Sequence, residues 1–552
     1  MQLTTARPMS PRSRYDRYDG AAALLLLCLV VLVLTTYSSY AVSNDEEVQQ
    51  RYGELIVSYY TSGLTDRALF TFENLYLYGG LFDVAATVIG RILPYDLYSI
   101  RHILCAATGI GGIAATWATA RLIAGSRAGL IAAALLAVCG VWYGAMFNHT
   151  KDITFAAAMM GATYALLRAT RDLPHPRLRH VMLFGAMLGA ALGLRAMGLL
   201  LGAYLALAIV VKTYHSAPAG HRERLAFAAR SLLAFVPGLL LGYLIMIAAW
   251  PWAALDPFNP VRAIFAFAQF QYPIRDLLAG VVYWMDDMPR WYLPTYLAIK
   301  LPLTMLAGVL IALVAIALPR PVRAEMSSQT RTEMALIAVV AAFPIAAQVI
   351  SRGPEFSGMR HFTFVVPPLA VLAAFGFEVV IAAFGRRRAA AGIGAGIAVA
   401  VLVMWNAVVL ARLHPHQYLF YNPLVGGLQG AAGRYATDYW VNVMPEAVGK
   451  LESYLARIER ESGRARDHYN VAICAQRMQF ERVSNDRLHW TDTWEEADFF
   501  ISPTHMACDS MLEGKVIATV ERLGVVIGVV KDRRDLVDLE AAAVARLRLS
   551  EP

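Results

Sequence analysis

Long apolar runs separated by short basic stretches dominate the chain. A helix that crosses a bilayer needs about 20 mostly apolar residues, and about eleven segments satisfy that length. They begin near Gly20, Asp96, Ala128, Ile153, Val181, Ala196, Arg230, Leu297, Met334, His361 and Ala389. The run from Val181 to Val211 is too long for one span and predicts two short helices meeting near Arg195. The first run lacks a small-residue cleavage site and ends in Tyr37 and Tyr40, which predicts a retained span rather than a signal peptide. Gly and Ala in the stretches Gly109 to Ala120 and Gly392 to Ala400 allow helices to approach closely.

Polar residues interrupt this pattern in three places. Two are loops, at about 37–95 and 250–296. The third is everything after about residue 412, where the sequence becomes mixed and short β-like runs appear from Tyr469, Ala497, Lys515 and Leu523. A helical stretch lies around Val448 to Glu461. The expected organisation is therefore a tail (1–19), a membrane module (20–411) and a small α/β domain (412–552). The fold class is mainly α, polytopic, with that α/β domain on the outer face.

Basic residues give the orientation. Arg7, Arg12, Arg14 and Arg17 precede the first span. Further clusters fall in alternate short loops: Arg121 and Arg127; Arg168, Arg171, Arg177 and Arg179; Lys212, Arg222 and Arg224; Arg320, Arg323 and Arg331; Arg386, Arg387 and Arg388. With eleven spans all of them share one side, which the positive-inside rule makes cytoplasmic. The two long loops and the C-terminal domain then lie outside, in the periplasm if the membrane is the inner one.

Composition agrees. The 552 residues are 58% hydrophobic and 16% charged, with a mean hydropathy of +0.48. That excludes disorder, coiled coil and a disulfide-dense scaffold. The net charge of +8 reads as basic loops, not as nucleic-acid binding. Five cysteines offer no zinc spacing. Cys28, Cys105 and Cys139 lie in apolar runs and suit packing. Cys474 and Cys508 are either two buried thiols or a bridge, whose loop of about 35 residues would stabilise by roughly 3–4 kcal/mol.

Charges at membrane depth cost ~2.5–3.5 kcal/mol each and mark candidate sites. Asn44-Asp45-Glu46-Glu47 follows the first span. Its acids suit a general base or a metal site, or a plain helix start capped by Asn44. Asp152, in Asn148-His149-Thr150-Lys151-Asp152, is a second acid or a second cap. Arg195 interrupts an apolar run and needs an anion, either a ligand or a carboxylate such as Asp152. Lys300 and the pair Arg360-His361 begin later spans on the same side. Cations beside acids at the outer leaflet suggest a lipid-linked phosphate held by Arg or Lys, with a carboxylate facing an acceptor.

These residues resemble a known group. The acidic pair after the first span, the long first loop, Asp152, and Arg195 within LGAALGLRAMGLLL look like the multi-span glycosyltransferases of the C superfamily (GT-C). Within it the likeness is to the protein O-mannosyltransferase-like family, including its bacterial lipid-carrier-dependent members. PWAALDPFNP, MPRWYLPTYLAIKLPL, RHFTFVVPPLAVLAA and the segment His414 to Trp440 add to the likeness, which covers roughly 20–440. The resemblance implies Asp45 as general base and Glu46 as a positioning or binding partner. Asp152 is the second catalytic candidate, placed to position the acceptor or a basic partner, and the cost of cations in an apolar chain makes Arg195, Lys300 and Arg360, with His361 as a helper, candidate donor-phosphate ligands. Two features depart from the family: Leu77-Tyr78-Gly79-Gly80-Leu81 replaces a His-Pro-Pro-Leu type stretch, and His149 or Lys151 stands where a basic residue, usually arginine, precedes the acid.

The implied reaction moves a sugar from a polyprenyl-phosphate donor to a hydroxyl acceptor on protein, lipid or glycan, with inversion. No cofactor is indicated; a divalent metal is compatible with the acids but not signalled by them. A transporter or flippase of a lipid-linked or anionic substrate is the alternative. The long outer loops and the lack of acids at span centres weigh against it.

Overall fold

The computed structural model describes residues 15–217, 220–269, 272–317, 326–463 and 465–537. Helix α1 (Arg17–Thr36) leads into a loop carrying α2 (Glu46–Thr61) and α3 (Leu81–Ile92). Next come α4 (Leu97–Ala124), α5 (Ser126–Ala137), the single turn α6 (Gly140–Tyr143), α7 (Thr150–Thr170), α8 (Leu178–Leu192), α9 (Leu200–Ser216) and α10 (His221–Ala249). The second loop carries α11 (Pro251–Leu255), α12 (Asn259–Ala268) and a hairpin of β1 (Arg275–Leu278) and β2 (Val281–Trp284). Helices α13 (Tyr292–Lys300), α14 (Leu303–Ala317), α15 (Ser328–Ser351), α16 (Val366–Arg387) and α17 (Ala389–Leu413) complete the bundle.

Each apolar run identified in the sequence is helical. Among the described residues seven helices are long and apolar enough to cross a membrane, or eight if the bent pair α13 and α14 is one span; α5 and α8 are shorter apolar helices. Apolar side chains on α1, α10 and α17 stay exposed, among them Leu24, Leu27, Leu233, Leu240, Val401 and Trp405. Only lipid gives such faces a favourable surrounding, so the chain is an integral membrane protein. Helix α16 is the hub: 78% of its apolar window is buried, against 17% for α1 and for α17.

Local sequence explains the breaks. The α13–α14 pair bends by 111° at Leu301-Pro302. Proline donates no amide and disfavours helix in the residue before it. Two carbonyls freed there, Ala298 and Leu301, accept from Asn422 Nδ2 at 2.6 and 2.8 Å. The small residues of α4 act as expected: a Cβ on Gly109 or Gly112 would come within 2.5 Å of Met146 or Trp142. In the second stretch Gly392 makes the close approach, a Cβ there standing 2.7 Å from the Gly385 Cα of α16, while Cβ atoms at Gly394 and Gly396 would meet nothing within 4 Å among the described residues.

The basic loops gather at one end of the bundle. There Arg121 grips Asp19 at 2.6 and 2.8 Å, Arg127 grips Glu378 at 2.8 and 2.7 Å, and Arg171 grips Glu333 at 2.6 and 2.7 Å. Arg7, Arg12, Arg14, Arg320 and Arg323 lie outside the described residues. The segment after α17, including α18 (Gly427–Ala431), crosses the opposite end. It continues into α19 (Met444–Ser462) and a five-stranded sheet. The strands are β3 (Tyr469–Ile473), β4 (Leu488–Trp490), β5 (Phe499–Pro503), β6 (Lys515–Arg522) and β7 (Val525–Asp532), in the order β4-β3-β5-β7-β6, with α20 (Arg477–Glu481) following β3. Strand β3 pairs parallel with β4 and β5, and β7 pairs antiparallel with β5 and β6. Helix α19 buries Val448, Leu451 and Leu455, and the same core runs back through Val443 and Trp440 into the bundle. Cys474 and Cys508 are bonded; Cys105 and Cys139 are buried, while Cys28 is exposed on α1.

Candidate functional site

The candidate residues converge at the end of the bundle opposite the basic loops. Helix α2 starts at Glu46, with Asp45 in the capping position, but the Asp45 carboxylate caps no amide. Asn44, the cap expected from the sequence, instead donates to the Tyr439 carbonyl at 3.3 Å. The Asp45 side chain is therefore unspent by its helix. It is 42% exposed and accepts from Arg360 Nη1 at 3.1 Å.

Arg360 is held from several sides. Its guanidinium lies over Trp440, 4.6 Å from the ring centre, and 5.0 Å from that of Phe356. Before it, Ser357 and Gly358 turn the chain through left-handed backbone at φ 56 and 67°. Gly358 N–H donates to Tyr292 Oη at 2.7 Å and to Asp276 Oδ2 at 3.2 Å. These contacts fix the loop so that Arg360 opens the 3₁₀ turn Arg360–Val365 and meets Asp45.

Glu46, next in sequence, points into the protein. It is fully buried and accepts from Ser43 N at 2.8 Å and Ser43 Oγ at 3.2 Å. His102 Nε2 stands 3.4 Å away and Arg101 Nε 3.6 Å away. Arg101 is itself fully buried and donates to Asp83 at 2.9 Å and Gln50 at 3.0 Å. Burial raises the Asp83 carboxyl above the usual range, against the attraction of Arg101. The acidic pair thus divides: Asp45 faces the open side, and Glu46 ties α2 to α4.

Asp152, in the first turn of α7, forms an ion pair with Arg195, at the junction of α8 and α9. Asp152 is not a helix cap; His149 occupies that position. Tyr78 lies between the two halves of the site. Lys151 Nζ stands 4.1 Å from its ring centre and Arg195 Cζ 5.9 Å. Burial raises the Tyr78 phenol, opposed by Arg195 and Arg360 together. The Nε atoms of Arg195 and Arg360 are buried and have no hydrogen-bond partner among the described residues.

The remaining candidates sit further back. Lys300 is buried, donates to the Tyr418 carbonyl at 2.8 Å and stands 3.8 Å from the Tyr421 ring centre. His361 packs edge-on against Phe356 at 4.7 Å. His149 accepts from the Trp440 indole N–H and lies among Tyr418, Tyr439 and Trp440. A small cavity of about 20 Å³ touches His149, Lys300 and Arg360. Among the described residues no group of three or more His, Cys, Asp or Glu side chains is placed to hold a metal ion.

Sequence reasoning assigned no role to Tyr78, Trp440, Phe356, or the buried trio Arg101, Asp83 and Gln50. Tyr78 did lie in the stretch that departs from the family, and Trp440 closed a quoted segment.

Residues 89–252 match the family model described as dolichyl-phosphate-mannose-protein mannosyltransferase. The likeness to that family drawn from the motifs is thereby borne out. The matched stretch contains Arg101, Asp152 and Arg195 and excludes Asp45 and Arg360. No curated protein matches the chain significantly. Among solved structures, ArnT from Cupriavidus metallidurans bound to undecaprenyl phosphate aligns over 92% of this chain and 98% of its own, at 14% identity and a TM-score of 0.47. The oligosaccharyltransferase AglB from Archaeoglobus fulgidus, in complex with an inhibitory peptide and a dolichol-phosphate, aligns over 88% of this chain and 69% of its own, at 13% identity and a TM-score of 0.45.

Proposed function

We propose that this mannosyltransferase-like membrane protein is an inverting glycosyltransferase. It moves a sugar from a polyprenyl-phosphate donor to a hydroxyl acceptor at the outer face of the inner membrane. One observation carries the reading: an uncapped, half-open carboxylate, Asp45, is held by an arginine whose Nε–H is buried and unspent. A base and a phosphate ligand in contact are what the displacement needs.

The acceptor oxygen attacks the anomeric carbon and passes its proton to Asp45. The bond from that carbon to the phosphate oxygen breaks, and polyprenyl phosphate leaves with the electron pair. Because the leaving group is already a stable anion, its protonation by an acid matters less than in glycosidases, which use a carboxylate pair. Arg360 stabilises the charge that develops on phosphate, and Trp440 and Phe356 keep its fork aimed. Arg195, tethered by Asp152, supplies a second cation at the rim. Lys300, His149 and His361 support the site from behind, and Glu46 positions α2 through Arg101.

The test is transfer of label from a panel of polyprenyl-phosphate sugars in right-side-out vesicles. Acceptors on the outer surface should become labelled. Labelling confined to inner-surface acceptors would overturn the orientation. No transfer from any lipid-linked donor would overturn the reaction.

A further inference from the structure

The first outer loop holds a pocket of about 360 Å³ between α2, α3 and the start of α4. That volume lies in the range of small-molecule sites, ~300–1,000 Å³. Its walls are polar and their charges balance: Arg51 and Arg91 against Glu54 and Asp66. Both acids are already engaged. Glu54 accepts from Arg51 at 3.0 Å and from Gln50 at 3.3 Å. Asp66 accepts from Ser58 at 2.6 Å and from the Ala68 N–H at 3.1 Å. Arg91, in the last turn of α3, has no ion-pair partner among the described residues. Leu55 and Leu97 add an apolar patch. Gly90 lets α3 lie close over Leu97, since a Cβ there would stand 2.7 Å from Leu97 Cδ1.

Each feature narrows the ligand. A metal ion would have to strip Glu54 and Asp66 of their donors. A phosphate would meet the same two carboxylates. An acyl chain would leave the polar walls without partners. A neutral molecule rich in hydroxyls suits them all, because each hydroxyl both donates and accepts, and the carbon face of a sugar ring can lie on Leu55 and Leu97. We propose that this pocket is a saccharide-binding site and, resting on the transfer reaction proposed above, that it holds a non-reacting unit of a glycan acceptor. Gln50, at its back, is buried. Its Nε2 donates to Thr87 Oγ1 at 3.0 Å, and its Oε1 accepts from Arg101 Nη1 at 3.0 Å. Arg101 faces Glu46, so the pocket abuts the contacts that fix the helix start at Asp45. Along α2, Gln50 is roughly 7.5 Å from Asp45 at 1.5 Å per residue.

The full-length protein, in a detergent without a sugar headgroup and without donor lipid, is titrated with mannobiose, cellobiose and lactose, and binding is read by saturation-transfer NMR. At least one disaccharide should saturate a single site. Arg91→Gln and Asp66→Asn should each raise its half-saturating concentration about tenfold, the worth of one charge-assisted hydrogen bond. Ser58→Trp fills the pocket from the end of α2 and should abolish saturable binding even if a charge variant does not fold. No saturable binding of any of the three sugars, or unchanged binding in Ser58→Trp, would overturn the site. Displacement of the sugar by equimolar inorganic phosphate would also overturn it, because the pocket would then read charge. With no donor present, failure here leaves the transfer reaction standing, and failure of transfer leaves the site standing. In transfer to a glycan acceptor, Arg91→Gln should raise the half-saturating acceptor concentration about tenfold and leave that of the donor unchanged. An unchanged acceptor constant would overturn the acceptor role.

Discussion

Asp45 and Glu46 are neighbours in sequence and opposites in structure. Asp45 is 42% exposed and meets one arginine, Arg360, brought from 315 residues away. Glu46 is fully buried and meets Arg101 and His102. Both make ion pairs, but the consequences of breaking them differ. Asp45 can turn to water when its pair opens, although Arg360, 9% exposed, cannot, whereas Glu46 and Arg101 are both fully buried, and a buried charge that loses its partner costs about 3–5 kcal/mol. In the proposed reaction Asp45 is the carboxylate free to change partners, and Glu46 is not.

The first way to break this comparison is Asp45→Asn. Turnover should fall about 10²–10⁴-fold, the usual worth of a positioned base, with a smaller fall in melting temperature than for Glu46→Ala, since the amide oxygen can still accept from Arg360. Near-normal turnover in that variant would remove Asp45 from the chemistry. Glu46→Ala should do the reverse, lowering stability by about 3–5 kcal/mol. The protein that still folds should keep Asp45-dependent transfer. Thermal unfolding in detergent, compared with activity per folded molecule, separates the two outcomes; a stable but inactive Glu46→Ala protein would make Glu46 a catalytic partner instead.

Smaller effects sharpen the contrast. Arg360→Lys keeps the charge but loses the planar fork. Its apparent donor constant should rise about tenfold, equivalent to roughly one charge-assisted hydrogen bond, and an unchanged constant would place the donor phosphate elsewhere. The smallest is a pH effect on the loop before Arg360. Burial pushes the Glu355 carboxyl up to about 8, and its Oε1 has no partner. A carboxyl whose folded value exceeds its unfolded one favours folding most at low pH, and that contribution is lost as pH rises through about 8. Melting temperature should therefore decline towards alkaline pH, and Glu355→Gln should flatten the decline. A parallel profile in the variant would show that Glu355 is not its source.

Much of the fold was legible because membrane spans announce themselves by length and apolarity. Even the break at Arg195 could be read, since one run was too long for one helix. The bend at Pro302 was less visible, because its freed carbonyls are satisfied by Asn422, 120 residues later in the chain. Strands β1, β2 and β4 were missed; they have only four, four and three residues, too short for alternation to register. For the site, sequence position brought out the residues and one of their pairings, Arg195 with Asp152, but not that of Arg360 with Asp45. Arg101 was assigned no role, since nothing local indicated that Asp83 and Glu46 would close around it. Only the family resemblance separated Asp45 from Glu46; local sequence could not, because the direction of a side chain at a helix start depends on what packs there, and here that includes the distant segment around Tyr439.

That dependence has a consequence for how the protein is made. The strand of chain leading to Asp45 is held by residues from the far end: Ala41 N–H donates to Asn442 at 2.6 Å, and Gln479 donates to the Val42 carbonyl at 2.7 Å. Asn442 is 401 residues downstream of Ala41. At ~5–20 residues per second of synthesis, that separation is roughly 20–80 s. The nascent chain would thus carry the proposed base, Asp45, early, at a membrane surface rich in lipid phosphates, yet lack the clasp that orders it. Competence would arrive only with the last quarter of the chain, making the C-terminal domain the final checkpoint of biogenesis.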